Sequence, residues 1–253
     1  MTTRAYDELV ASARRDENIV GLVLTGSRGR RFPVSDASDW DVRLVVNDDV
    51  CEEYRSRLAT PHGSPVEVVV LSLSEFEQVG EVGTESAWDR YSYVYAEVVV
   101  DKAAALSSLV SAKSELSPQT ARVLAAEHLD DYINAYYRAA KNARSGLAIE
   151  AHLDAAESIP CLLDFLFAAH GRVTPFNRFL RWELENYPLP GETWTAASLL
   201  PLVHEILVTG DIVVQQHVFR DVETFARAHG LEDVVDGWEP DLTWLRGNQP
   251  RPT

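Results

Sequence analysis

Three acidic residues lie in or beside short apolar segments, where a carboxylate needs a partner. Asp39 and Asp41 stand two positions apart at the start of the apolar segment 40–46. Alternate residues of a strand face the same way, so these two carboxylates converge on one side. At about 5 Å and an effective dielectric of about 20, their repulsion is about 3 kcal/mol. A divalent cation removes that repulsion, and hard carboxylate oxygens with open coordination positions favour Mg²⁺ bound to substrate phosphates.

Glu67 is the third acid, and it interrupts the apolar segment 65–71. A carboxylate in such a segment needs a compensating partner. If this segment lies beside the strand of Asp39 and Asp41, Glu67 completes the metal site or takes the proton from an attacking hydroxyl. The alternative is that Glu67 faces solvent on an edge strand.

The residues from Gly26 to Arg31 combine a small-residue turn, a hydroxyl and three arginines. Backbone N–H groups at such a turn hold anionic oxygens, while guanidinium groups neutralise their charge. We therefore predict that Gly26, Ser27, Arg28 and Arg30 bind phosphate. The alternative is an ordinary turn with solvated arginines.

Hydrophobic periodicity divides the chain into a first half with strands and a second half without them. Apolar runs predict strands, and three-to-four spacing predicts the helices between them. After residue 101 only helical periodicity remains, with a boundary near residues 113–118. We predict an α+β protein with an N-terminal mixed-sheet domain over residues 1–115 and a C-terminal helical bundle over residues 116–253. The predicted strands are 19–24, 40–46, 65–71 and 96–100, and the first helices are 6–15, 50–58, 74–79, 118–140 and 150–169, the last with a kink or break at Pro160.

The composition of the chain indicates which classes of binding partner to expect. The hydrophobic fraction of 46% and the charged fraction of 25% are those of an ordinary globular protein. No apolar run is long enough for a membrane helix and the N-terminus lacks the apolar centre of a signal peptide, so we expect a cytoplasmic protein without a membrane partner. The net charge of −16 argues against nucleic acid and favours a cationic small molecule.

The order of these segments resembles a known superfamily. An apolar strand, Gly26-Ser27, a loop, Ser38-Asp39-x-Asp41 and a second apolar strand are similar to the nucleotidyltransferases related to DNA polymerase beta. The segments 26–30 and 66–68 are most similar to aminoglycoside nucleotidyltransferases of the kanamycin type. The resemblance covers residues 19–71 in detail, and beyond them only the C-terminal helical bundle is shared.

The resemblance implies an enzyme that transfers a nucleoside monophosphate, with ATP as the expected donor, to a hydroxyl of a small molecule and releases pyrophosphate. It implies Mg²⁺ bound by Asp39, Asp41 and Glu67, and nucleotide phosphates bound by Ser27 and the turn backbone. Lys141 matches a phosphate-binding lysine of the family. The implied acceptor is an aminoglycoside antibiotic, which would make the activity one of antibiotic resistance.

One position departs from the kanamycin-type pattern. The family places its base, a glutamate, four residues before the lysine, and this chain has Tyr137 there. Glu67 is therefore the preferred base, with Asp130 or Asp131 as the alternatives.

Two other functions stay open on the sequence alone. The acceptor could be a protein or tRNA, as in antitoxin-type nucleotidyltransferases, or the chain could be a regulatory protein that binds nucleotide without catalysis. A homodimer is also a hypothesis, since apolar residues 162–169 could bury against the sheet or against a second chain.

Overall fold

The first unit of the chain is built on a small mixed sheet. The computed structural model describes residues 2–29, 38–102 and 104–248, with only the backbone of Thr2. The chain divides into two compact units, Met1–Glu115 and Leu116–Thr253. The protein is α+β, as predicted, because all strands of the described residues belong to the first unit.

Four strands form the sheet in the order β3-β2-β1-β4. They are β1 (Ile19–Leu24), β2 (Trp40–Val46), β3 (Val66–Ser72) and β4 (Glu97–Asp101). Strand β1 is antiparallel to both β2 and β4, whereas β2 and β3 are parallel. Each predicted strand is present within one residue of its predicted bounds.

Helices cover both faces of this sheet. Residues of α1 (Thr2–Arg15) and α3 (Cys51–Leu58) share one apolar core with the sheet. Residues of α4 (Leu73–Gln78) and α5 (Ala105–Ser114) share the other. The short helix α2 (Gly26–Gly29) follows β1, and two 3₁₀ segments span Asp48–Val50 and Ala87–Tyr93.

The two faces of β2 differ in character. Val42, Leu44 and Val46 are fully buried on the side of α1 and α3. On the opposite side, Val45 packs with the apolar residues of α4 and α5. Because side chains alternate along a strand, Asp41 and Arg43 occupy the same side as Val45. That face therefore changes from polar to apolar along the strand.

The second unit is helical. The longest helix of the described residues is α6 (Pro118–Arg144). Its start is favoured by Ser117, whose Oγ accepts a hydrogen bond from the Thr120 N–H at 3.1 Å, and by Pro118 in its first turn. The first two helices of this unit pack closely on each other. The helices are α6 (Pro118–Arg144), α7 (Ala148–Ala169), α8 (Leu180–Asn186), α9 (Ala196–Thr209), α10 (Ile212–Ala228), α11 (Glu232–Asp236) and α12 (Leu242–Leu245), with a 3₁₀ segment at Asn177–Phe179.

Helix α7 contains Pro160, where the sequence predicted a kink or a break. The helix continues through Pro160, so the break does not occur there, and the kink stays a prediction. The apolar residues from Leu162 to Ala168 lie largely within the core of this same unit. They therefore do not supply a surface for a second chain, and the homodimer stays a prediction without them. No helix of the described ranges is long and apolar enough to cross a membrane.

Candidate active site

The acid site, defined as Asp39, Asp41 and Glu67, lies at the start of two parallel strands. Asp41 of β2 and Glu67 of β3 are paired in register. Paired residues of neighbouring strands lie about 4.8 Å apart and point to the same face of the sheet. Asp39 precedes β2 by one residue and is exposed, whereas Asp41 and Glu67 are half-buried. The predicted proximity of the β2 and β3 acids is therefore present in the fold.

The turn after β1 is shaped around Asp41. Thr25 donates its backbone N–H to the Asp41 carbonyl at 2.8 Å, and its hydroxyl donates to the same oxygen at 3.2 Å. Gly26 adopts a φ of +63°, and a Cβ built on it would lie 1.7 Å from Oδ2 of Asp41. Only glycine accepts both the conformation and the contact. The Gly26 turn and the Asp41 carboxylate are thus in direct contact.

Glu67 is held by the loop that precedes β3. Its Oε2 accepts a hydrogen bond from the Gly63 N–H at 2.8 Å and lies 2.8 Å from Nδ1 of His62. Burial raises the pKa of the Glu67 carboxyl, but the Gly63 and His62 contacts outweigh burial and leave that pKa below its ordinary value. The side chain of Glu67 is 15% exposed although β3 is an edge strand, so the solvent-facing alternative does not apply.

His62 completes the polar surroundings of the acid site and was not singled out from the sequence. Its hydrogen bond to Glu67 raises the pKa of its ring, with smaller contributions from the charges of Asp41 and Asp39. The ring is 97% exposed. A lone histidine in a loop carries little signal in a sequence, because only the fold places it against an acid.

A buried cation, Arg43, lies two residues after Asp41 on β2. Nη2 of Arg43 is 3.6 Å from Oδ2 of Asp89, and these side chains are only 15% and 8% exposed. Ser92 donates its hydroxyl to Oδ1 of Asp89 at 2.6 Å. Burial lowers the pKa of the Arg43 guanidinium, but Asp89 and Tyr93 outweigh it, with a further contribution from Asp41, so the net shift is upward. The sequence signal was a charge inside an apolar strand, two residues after Asp41.

The predicted phosphate-binding residues are placed differently from one another. Ser27 is half-buried within α2. The Arg28 guanidinium donates from Nε to the carbonyl oxygens of Ser38 at 3.2 Å and Asp39 at 3.0 Å. Arg30 lies outside the described residues. Phosphate binding by this turn stays a prediction, and for Arg28 the observed partners are backbone carbonyls.

The donor set at this site suits a hard divalent cation. Mg²⁺ commonly uses one or two protein carboxylates and completes its shell with water and phosphate oxygens. Asp39 and Asp41 are the candidates for such a pair, and Gly26 leaves the Asp41 carboxylate the space it occupies. Within the described ranges, no three His, Cys, Asp or Glu side chains are placed to hold one ion together. Glu67 instead bonds to His62 and Gly63, so its role as a third ligand stays a prediction.

The remaining predicted residues belong to the second unit. Lys141 is exposed near the end of α6. Tyr137 packs its ring against Trp238 and Trp244, with centroid separations of 5.7 and 5.6 Å. Asp130, an alternative base, accepts a hydrogen bond from Nε1 of Trp238 at 2.9 Å. The aromatic contacts give Tyr137 a packing role within the bundle.

Comparison with known proteins adds little to this site. No family model matches the chain, and no curated protein matches it. Eight chains of solved structures match. One is a nucleotidyltransferase-like protein from Exiguobacterium sibiricum 255-15, which is 12% identical, with an alignment that covers 97% of this chain and 76% of that chain at a TM-score of 0.45. The function is therefore inferred from the residues of the acid site.

Proposed function

We propose that this protein is a magnesium-dependent nucleotidyltransferase. It transfers a nucleoside monophosphate, with ATP as the preferred donor, to a hydroxyl of a small molecule and releases pyrophosphate. A cationic acceptor such as an aminoglycoside is favoured by the net charge of −16. One observation carries this proposal: Asp41 is paired in register with Glu67 and lies directly against Gly26.

Different residues of the site have different roles in such a reaction. Asp39 and Asp41 would hold Mg²⁺, which neutralises phosphate charge as the transferred group moves. The backbone of Gly26 and Ser27 would receive the phosphates of the nucleotide, since these small residues leave it accessible.

Glu67 is suited to receive the proton of the attacking hydroxyl. The carboxylate is ionised at neutral pH and so is able to accept a proton, while its lowered pKa makes it a weaker base than an ordinary glutamate. The adjacent His62 ring and Gly63 N–H fix the orientation of one carboxylate oxygen and leave the other for the acceptor. This assignment agrees with the absence of a glutamate at position 137, where Tyr137 packs against tryptophans.

The decisive experiment measures pyrophosphate release. Purified protein is incubated with Mg²⁺, each nucleoside triphosphate in turn and a panel of hydroxylated small molecules that includes aminoglycosides. We expect release with ATP only when an acceptor is present, together with an acceptor whose mass increases by one AMP. Protein and tRNA acceptors are included as separate reactions.

The matched variants are Asp41→Asn and Asp49→Asn. The first removes a charge from the acid site at nearly constant volume, whereas Asp49 is an exposed residue of the 48–50 segment. Transfer should fall to background in the first variant and be unchanged in the second. Full activity of Asp41→Asn, or no transfer to any acceptor by the native protein, would overturn the proposal.

A further inference from the structure

Trp40, the first residue of β2, lies between two flat groups. The ring of Tyr6 from α1 stacks on it with a centroid separation of 3.8 Å and an interplanar angle of 18°. Cζ of Arg28 from α2 lies 4.3 Å from the centroid of the Trp40 ring. Two planar groups this close cannot share one face of the indole, so they cover opposite faces. We name this arrangement the Tyr6–Trp40–Arg28 stack.

The N–H groups of the same guanidinium donate hydrogen bonds to the backbone next to the acid site. Nη2 of Arg28 donates to the Ser38 carbonyl at 2.8 Å, and Nε donates to the carbonyls of Ser38 and Asp39. On the other side, the Trp40 N–H donates to the Pro65 carbonyl at 3.1 Å. The backbone on both sides of the Asp39 side chain is thus fixed, from α2 and from the segment before β3.

We propose that Arg28 is a positioning residue for Asp39 and that the Tyr6–Trp40–Arg28 stack fixes the backbone from which the Asp39 carboxylate projects. A guanidinium combines a rigid fork of donors with a flat face that stacks on aromatic rings, and both features are in use here. A phosphate would have to compete with the Ser38 and Asp39 carbonyls for the same N–H groups. The metal-binding consequence rests on the proposed function, whereas the stack itself does not.

Trp40 makes this proposal testable from the face of the sheet opposite to Asp41. Trp40 lies on the side of β2 that faces α1, opposite to the side of Asp41. A change in its ring therefore reaches the acid site only through the backbone or through Arg28. The same holds for Tyr6 on α1.

The test uses the full chain and four variants, with Mn²⁺ alone as the probe. Arg28→Lys keeps the charge but loses the fork, Arg28→Met loses both, Trp40→Leu loses the ring, and Trp40→Phe keeps a ring. Supporting residues of this kind typically change metal affinity by about 10–100-fold. We expect Arg28→Lys, Arg28→Met and Trp40→Leu each to weaken Mn²⁺ binding by about tenfold or more, and Trp40→Phe to remain near the native value.

Two further measurements separate positioning from phosphate binding and from unfolding. The double variant Arg28→Met with Trp40→Leu should be no weaker than either single variant, because both remove one support. ATP binding in the presence of a chelator should be unchanged by Arg28→Met. Arg4→Met, which alters an exposed helix pair, is the control for general loss of an arginine. If Arg28→Met loses ATP binding in the presence of a chelator but keeps the native affinity for Mn²⁺, then Arg28 binds phosphate and the proposal is overturned.

Hydrogen exchange tests the Tyr6–Trp40–Arg28 stack independently of the proposed function. If the native protein does not bind Mn²⁺, the metal assignment fails, and the amides of residues 39–41 then decide about the stack. Faster exchange there in Arg28→Met and Trp40→Leu than in Arg4→Met supports the positioning role, provided that urea unfolding shows all variants folded. Equal exchange in these variants overturns it.

Discussion

The carboxylate of Asp41 occupies the space in which any side chain at position 26 would lie. A Cβ on Gly26 would be 1.7 Å from Oδ2 and 2.7 Å from Cγ of Asp41. The absence of a side chain at position 26 therefore allows this placement of the Asp41 carboxylate. This placement links a turn at the end of one strand to an acid at the start of the next.

Gly26→Ala should destabilise the protein and misplace Asp41. The left-handed conformation alone costs a residue with a Cβ about 1–2 kcal/mol. Gly83→Ala is the matched control, since Gly83 has a φ of +82° but nothing within 4 Å of the added Cβ. Urea unfolding should show a larger loss for Gly26→Ala, and Mn²⁺ binding should fall in that variant alone. Equal losses of stability in the two variants would contradict the contact with Asp41.

Arg43→Met should be among the most destabilising changes in the first unit. It leaves the buried Asp89 carboxylate without its cation, and breaking such a pair costs about 3–5 kcal/mol. Adding Asp89→Leu should restore part of the loss, because the uncompensated charge is then removed as well. Chemical denaturation measures both effects. A change below about 0.5 kcal/mol, the size expected for a surface substitution such as Arg4→Met, would contradict this reading.

The His62–Glu67 pair should give the stability a defined pH window. Glu67 has a lowered pKa in the folded chain, so its contribution is present above its ordinary value of 4.5 and is lost as the pH falls through the folded value. His62 has a raised pKa, so its contribution is present below 6.5 and is lost as the pH rises through the folded value. The pair therefore stabilises the fold between these two limits.

The measurement for this pair is an NMR titration of the His62 ring. Its midpoint should lie above 6.5 in the native protein and move down toward 6.5 in Glu67→Gln, because the largest cause of the shift is the hydrogen bond to Glu67. The thermal stability of His62→Asn should differ from the native protein inside the window and converge with it at higher pH. A midpoint that Glu67→Gln leaves unchanged would rule out the pair.

Lys141 tests the resemblance to kanamycin-type enzymes outside the sheet. If this exposed lysine binds a nucleotide phosphate, Lys141→Gln should raise the KM for ATP by about tenfold, the value of one charge-assisted hydrogen bond. Lys141→Arg should lie closer to the native value because it keeps the charge. Steady-state kinetics at saturating acceptor measures both. An unchanged KM in Lys141→Gln would remove Lys141 from the site.

The sequence alone was enough to predict the strands and to select the candidate acids. Apolar runs predicted the four strands of the described residues, because apolar runs and turn chemistry are local properties. That Glu67 joins Asp39 and Asp41 was a hypothesis that depended on their segments being neighbouring strands, and the register pairing of Asp41 with Glu67 came from the structure.

Only the tertiary structure decided how these residues are supported. Arg28 was predicted to bind phosphate, which stays a prediction, and the tertiary structure added its contacts with Trp40 and with backbone carbonyls. Asp89 lies in a 3₁₀ segment 46 residues after Arg43, a separation over which local sequence patterns carry no information. His62 likewise has a partner only because a loop returns to β3. Such contacts depend on which surfaces packing brings together, and a linear pattern does not record them.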